Sequence, residues 1–243
     1  MSSAHTKRSP QLIVPLDMPD INQAMRMVDI LADQVRFFKI GFELFSAEGP
    51  AVVDRVRLKG AQVFLDLKFH DIPNTVGRAC RVVARYGVSL LTVHAAGGPD
   101  MIRAAVDAVT DAGYNDRPLV VAVTVLTSLN DATWQNDLQM GEPVSEFIPR
   151  FARIARHAGA DGVVASPKDL VEIRNSCDDE LVIVTPGIRP AGSAVGDQAR
   201  VATPAEAVRD GADYLVVGRP IIAAPDPAEA AAAILANMQS ATS

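Results

Sequence analysis

An eight-fold (β/α) barrel is the architecture that this chain predicts, on three observations. Eight short apolar runs recur along the sequence, each is followed by an amphipathic or alanine-rich stretch, and most of the runs lack inside/outside alternation. Near-continuous apolar runs are the signature of parallel strands covered on both faces, and strict alternation of strand and helix marks successive βαβ units. A length of 243 residues accommodates one such barrel, so no second domain is required.

The predicted strands are 12–17, 37–41, 63–68, 90–95, 119–127, 162–166, 181–188 and 214–219, and the predicted helices are 19–32, 45–58, 73–86, 100–112, 144–157, 167–175, 203–210 and 227–238. Pro73, Pro99, Pro167, Pro204 and Pro227 stand at or near the first helical turn, where a missing N–H is harmless, and Thr203 and Asp226 are N-cap residue types. Gly60, Gly87, Gly113, Gly159 and Gly211 fall just past helix ends, in keeping with the left-handed position that closes a helix. The barrel is expected over 11–238, with flexible tails at 1–10 and 239–243.

Composition narrows the function. The chain is 49% hydrophobic and 21% charged, with a net charge of −6, a balance that disfavours nonspecific nucleic-acid binding. The first ten residues lack the apolar core of a signal peptide and no apolar run is long enough to span a bilayer, so a cytoplasmic protein is expected. Cys80 and Cys177 have neither disulfide-framework nor zinc spacing, and no metal-ligand motif is present.

Barrel active sites form at the C-terminal ends of the strands. In order, those ends carry Asp17, Lys39, Asp66 with Lys68, His94, Thr127 with Ser128, Ser166, Arg189 and Arg219. The densest group is Asp66-Leu-Lys68-Phe-His70-Asp71-Ile72-Pro73-Asn74-Thr75, directly after an apolar run. Alternate strand residues share a face, which puts Asp66 and Lys68 side by side where unpaired charge is costly. A salt bridge that merely fixes a strand end is the alternative. A second signal is Thr185-Pro-Gly-Ile-Arg189 with Val217-Gly218-Arg219-Pro at the ends of strands seven and eight, where barrels bind phosphate through backbone N–H groups and a cation. Between them, 189–198 has the small-residue composition of a lid. His94 fits a hydrogen-bonded strand-end residue better than a catalyst, His70 a variable position, Trp134 a packing anchor, and 178–180 a solvated turn.

Taken together, these residues resemble the orotidine 5′-monophosphate decarboxylase family from Leu12 to about Pro227. The Asp66 to Thr75 stretch matches its signature, and Asp17, Lys39, Thr127, Thr185 to Arg189, Gly196 to Gln198 and Gly218-Arg219 follow in the family's order. The resemblance implies cofactor-free loss of CO2 from C6 of the pyrimidine. Lys68 would stabilise and protonate the C6 carbanion within a Lys39-Asp66-Lys68-Asp71 array. It also implies a homodimer in which Asp71 and Thr75 serve the neighbouring site, with Ile72 among the substrate-binding residues. Asp17 and Lys39 would hold the ribose, Thr127 and Ser128 would face the base, and Gln198, Gly218 and Arg219 would hold the phosphate, with Arg189 at the base of the lid.

Two alternatives belong beside that resemblance. Keto-gulonate-phosphate decarboxylases and hexulose-phosphate synthases share the Asp-x-Lys-x-x-Asp pattern but use Mg2+ and have an acidic residue where this chain has Lys39. A noncatalytic nucleotide-binding barrel would be free to lose the costly charges, all of which are present.

Overall fold

In a computed structural model that describes residues 9–114, 116–177, 179–190 and 202–241, eight strands pair in chain order and close into a parallel barrel. They are β1 (Gln11–Pro15), β2 (Phe37–Ile40), β3 (Gln62–Phe69), β4 (Leu90–His94), β5 (Leu119–Val123), β6 (Gly162–Val164), β7 (Val182–Thr185) and β8 (Tyr214–Val216). The last strand returns to the first through Gln11 opposite Tyr214. Helices α1 (Ile21–Leu31), α2 (Phe42–Glu48), α3 (Ala51–Arg57), α4 (Pro73–Ala84), α5 (Gly98–Thr110), α6 (Val144–His157), α7 (Leu170–Ser176), α8 (Pro204–Arg209), α9 (Arg219–Ile222) and α10 (Pro227–Gln239) fill the crossovers and the chain end.

Local chemistry accounts for most of these boundaries. Thr203 and Glu206 form a reciprocal capping box at α8, and the Asp226 carboxylate accepts the Glu229 N–H at α10. The five helix-ending glycines all have positive φ. Three expectations need correction. The helix expected at 45–58 is two helices, α2 and α3, because Gly49 turns to φ 64° and Pro50 follows it. The strands expected to reach Thr127, Ser166, Ile188 and Arg219 stop two to four residues earlier, where the neighbouring ladder ends. Arg219 therefore opens the short helix α9.

Two apolar layers result from the period-2 geometry of the strands. Ile13, Phe37, Phe64, Leu90, Val121, Val182 and Tyr214 plug the barrel, while the opposite strand faces pack on the helices in a second, larger core. The N-terminal face is fastened by two related ion pairs. Asp161, just before β6, takes both Arg117 nitrogens at 2.8 Å and the Val120 N–H at 2.8 Å. Asp213, just before β8, takes Arg174 at 2.7 Å and the Ile183 N–H at 2.8 Å. Each follows a Gly-Ala pair, Gly159-Ala160 or Gly211-Ala212, so the same short approach to a strand is used twice.

Backbone approaches a glycine most closely at Gly162, where a Cβ would lie 2.4 Å from the Val182 carbonyl oxygen. Backbone cannot yield there as a flexible side chain would, so Gly162→Ala is expected to destabilise the fold by about 1–3 kcal/mol. A lowered urea midpoint with unchanged slope is the expected result, and an unchanged midpoint would contradict the packing.

Candidate active site

Period-2 continuation of the plug lifts polar groups onto its upper rim. Lys39 lies two residues past Phe37, Asp66 two past Phe64 and Thr92 two past Leu90. Asp66 is the hub of this rim. Its Oδ1 accepts from Lys68 Nζ at 2.9 Å, and its Oδ2 lies 3.6 Å from Lys39 Nζ. Lys39 also donates to Asp17 Oδ1 at 3.0 Å. The Asp66 and Lys39 side chains are each 13% exposed and Lys68 is 29% exposed, so little water screens the cluster.

The sequence predicts that Asp66 and Lys68 meet by regular strand alternation. They do meet, but through a bulge. Leu65 pairs with Leu91 and the next pairing is Phe69 with Val93, so β3 spends four residues where β4 spends two. Within that excess Lys68 adopts φ 44°, a left-handed conformation that L-residues with a side chain seldom hold. The bulge re-aims Lys68 at the mouth of the barrel, where its ammonium lies 5.8 Å from the centre of the Phe42 ring.

Lys39, Asp66 and Lys68 line a cavity of about 150 Å³ together with Thr127. The rest of its wall includes Phe64, Val123, Val125, Val164, Val184, Pro186 and Val216. One charged edge against an otherwise apolar slot suits a flat ring with an anionic substituent. The volume falls below the range of about 300–1,000 Å³ for whole drug-sized ligands, so it accommodates a single ring rather than a whole ligand of that size.

The other predicted residues are placed as follows. Ser128 is exposed and does not line this cavity. Arg189 is buried and donates to the Ile188 carbonyl at 2.8 Å. Gly218 precedes α9, where a Cβ would lie 3.0 Å from the Pro15 ring, and Arg219 is exposed at the start of that helix. Ser166 donates to the Asp169 carboxylate, which gives it a structural partner. Gln198 and the 191–201 stretch of the expected lid lie outside the described residues. Asp71, Ile72 and Thr75 are exposed beyond the end of β3. Asp71 accepts its neighbour Ile72's N–H at 2.6 Å, and among the described ion pairs it joins neither Lys39 nor Lys68. Trp134 is buried edge-on to Phe147.

Thr92 is the site residue that sequence reasoning missed. Its hydroxyl accepts the Lys68 N–H at 2.7 Å and donates to Asp66 Oδ1 at 3.1 Å. The available signal was a polar residue in the barrel-facing phase of a strand, Leu90-x-Thr92-x-His94, since a buried hydroxyl must find partners.

The model of the orotidine 5′-phosphate decarboxylase / HUMPS family matches residues 10–234. The chain belongs to this family. Relatives named orotidine 5′-phosphate decarboxylase include that of Moorella thermoacetica, 53% identical over 94% of this chain and 92% of the relative. That of Heliobacterium modesticaldum is 49% identical over 94% and 95%. The crystal structure of the Lactobacillus acidophilus orotidine 5′-phosphate decarboxylase superposes with a TM-score of 0.84 at 37% identity, covering 94% of this chain and 99% of that one. Family membership agrees with the single closed barrel, and among the described residues no helix is long and apolar enough to cross a membrane.

Beside the cluster, His94 stacks on His70 with ring centres 5.2 Å apart, and its Nδ1 accepts the Ala96 N–H at 3.4 Å. Burial, followed by the His70 and Lys68 charges, holds the His94 imidazole below the ordinary histidine value. The unfolded chain therefore binds the proton more readily. This contribution to stability is complete above about pH 6.5 and is lost as pH falls from there towards the folded-state value. His94→Gln is expected to flatten the fall in Tm between pH 7.5 and 5.5, by about 2–4 °C per kcal/mol removed. Parallel Tm curves for the two proteins would contradict it.

Proposed function

We propose that the protein decarboxylates orotidine 5′-monophosphate to UMP and CO2, the closing step of de novo pyrimidine synthesis. The observation that carries this reading is the pair of ammonium groups, Lys39 and Lys68, flanking Asp66 at the mouth of an otherwise largely apolar slot. Breaking the C6–carboxylate bond leaves an electron pair in the plane of the pyrimidine, where the ring cannot delocalise it. A fixed cation beside C6 is then the main means of lowering the barrier. Lys68 provides that cation and transfers a proton from Nζ to C6 as CO2 departs. Its neutral amine recovers the proton from solvent. Asp66 holds the ammonium in place, and Lys39 with Asp17 holds the ribose hydroxyls.

In this reading Thr127, which lines the cavity, faces the base, while Gln198, Gly218 and Arg219 hold the phosphate with Arg189 at the base of the lid. Remote phosphate binding then contributes to assembling the charged site. The Mg2+-dependent alternative fits the donor set poorly. Between the carboxylates of Asp17 and Asp66, where a divalent cation would be held, stands the ammonium of Lys39 at 3.0 and 3.6 Å.

The fourth member of the array comes from a second copy of the chain. Among the described residues Asp71 has no lysine partner, and with Ile72, itself 66% exposed, and Thr75 it projects from the barrel mouth. A homodimer brings this segment over the neighbouring Lys68, a closed arrangement in which each protomer completes the other.

Purified protein treated with EDTA is expected to release CO2 from orotidine 5′-monophosphate and form UMP, with Lys68→Ala lowering kcat by at least about 10²- to 10³-fold. Absence of turnover in the folded wild-type protein would sink the decarboxylase reading. Sharing of the site has its own test. Mixing equal amounts of inactive Lys68→Ala and Asp71→Ala proteins should restore about a quarter of wild-type activity, since half of randomly paired dimers are hybrids with one intact site. No recovery after subunit exchange would place Asp71 in its own chain's site.

A further inference from the structure

Thr92 is wholly buried in the middle of β4, and its single hydroxyl makes both of its bonds to β3. Hydrogen-bonding capacity fixes the direction of each. The Lys68 amide only donates and an ionised carboxylate only accepts, so Oγ1 receives the Lys68 N–H and sends its own hydrogen to Asp66 Oδ1. That same oxygen receives Lys68 Nζ at 2.9 Å. A closed ring results, running from the Lys68 amide through Thr92 and Asp66 back to the Lys68 ammonium.

The ring stands where the β3–β4 ladder is interrupted. No residue of β3 between Leu65 and Phe69 has a pairing partner in β4, so the Lys68 amide takes a side-chain acceptor in place of a backbone one. A buried amide without an acceptor is costly, and Lys68 is in a left-handed conformation that its own side chain disfavours. The hydroxyl of Thr92 compensates at the position where the backbone departs from regular geometry.

We infer that Thr92 is a positioning residue of the reaction: its hydroxyl holds Lys68 in the bulged conformation and turns Asp66 so that the ammonium stays at the cavity mouth. The catalytic part of this inference rests on the decarboxylase reading, while the geometric part stands without it. Thr92 is buried and does not line the cavity, so its effect passes through Lys68 and Asp66 rather than through a contact of its own.

Two substitutions separate positioning from packing. Thr92→Val keeps the volume and removes the hydroxyl, whereas Thr92→Ser keeps the hydroxyl and removes a buried methyl. Positioning predicts a fall in kcat of about 10- to 100-fold for Thr92→Val with KM within about threefold of wild type, and near-wild-type kcat for Thr92→Ser despite a lower Tm. Packing alone predicts the reverse order, with the serine protein the weaker and kcat per folded molecule unchanged in both. Wild-type kcat in Thr92→Val, or an equal loss in Thr92→Ser, overturns the inference. Should the wild-type protein show no turnover, the decarboxylase reading fails first, and the crystal structure of Thr92→Val decides the geometry. Lys68 leaving positive φ and withdrawing from Asp66 supports the inference, and an unchanged Lys68 overturns it.

Discussion

A single carboxylate, Asp66, faces two lysines at the open end of an apolar barrel, and the rest of the upper rim is arranged around the cost of keeping those charges there. Water at this depth is too scarce to solvate them separately, so each must be satisfied by its neighbours. The β3 bulge, the left-handed Lys68 and the Thr92 hydroxyl are three parts of one answer. Remove the carboxylate and two like charges are left confronting each other across a few ångströms of protein.

The two ends of the barrel divide the work. At the N-terminal face, Asp161 with Arg117 and Asp213 with Arg174 also bind strand amides, which ties ion pairs directly to sheet register. At the other face, charges surround a slot instead of filling it. Between them the plug of Phe37, Phe64, Leu90 and Tyr214 isolates one set from the other, with Phe37 and Tyr214 meeting edge-on at 5.5 Å. Substitutions at the lower end act on folding, and those at the upper end act first on chemistry.

Much of this was legible in the sequence because parallel strands buried on both faces leave uninterrupted apolar runs, and because proline and glycine punctuate the helices by known local rules. All eight strands were located this way. Their ends were less legible: the runs continue past the last ladder bond, since the loop residues that line the slot, such as Val125 and Pro186, are also apolar. The Gly49-Pro50 break in the second crossover was written in the chain and was overridden by the amphipathic pattern on either side of it. Asp66 and Lys68 stood out by charge after an apolar run, but a bulge depends on how many residues the partner strand supplies, which pattern alone does not carry. Thr92 escaped for a related reason. As a β-branched residue in the middle of a strand it looks like ordinary sheet.

The left-handed backbone at Lys68 also bears on how this fold responds to selection. Glycine would relax that torsion but leave Asp66 without the ammonium at 2.9 Å, so position 68 is one where backbone preference and chemistry pull in opposite directions. A library screened for heat resistance or soluble yield, with turnover left unmeasured, carries no selection for the lysine itself and is free to discard the chemistry. Stabilising this scaffold therefore means holding position 68 fixed and looking for gains elsewhere, among the helices and at the lower rim.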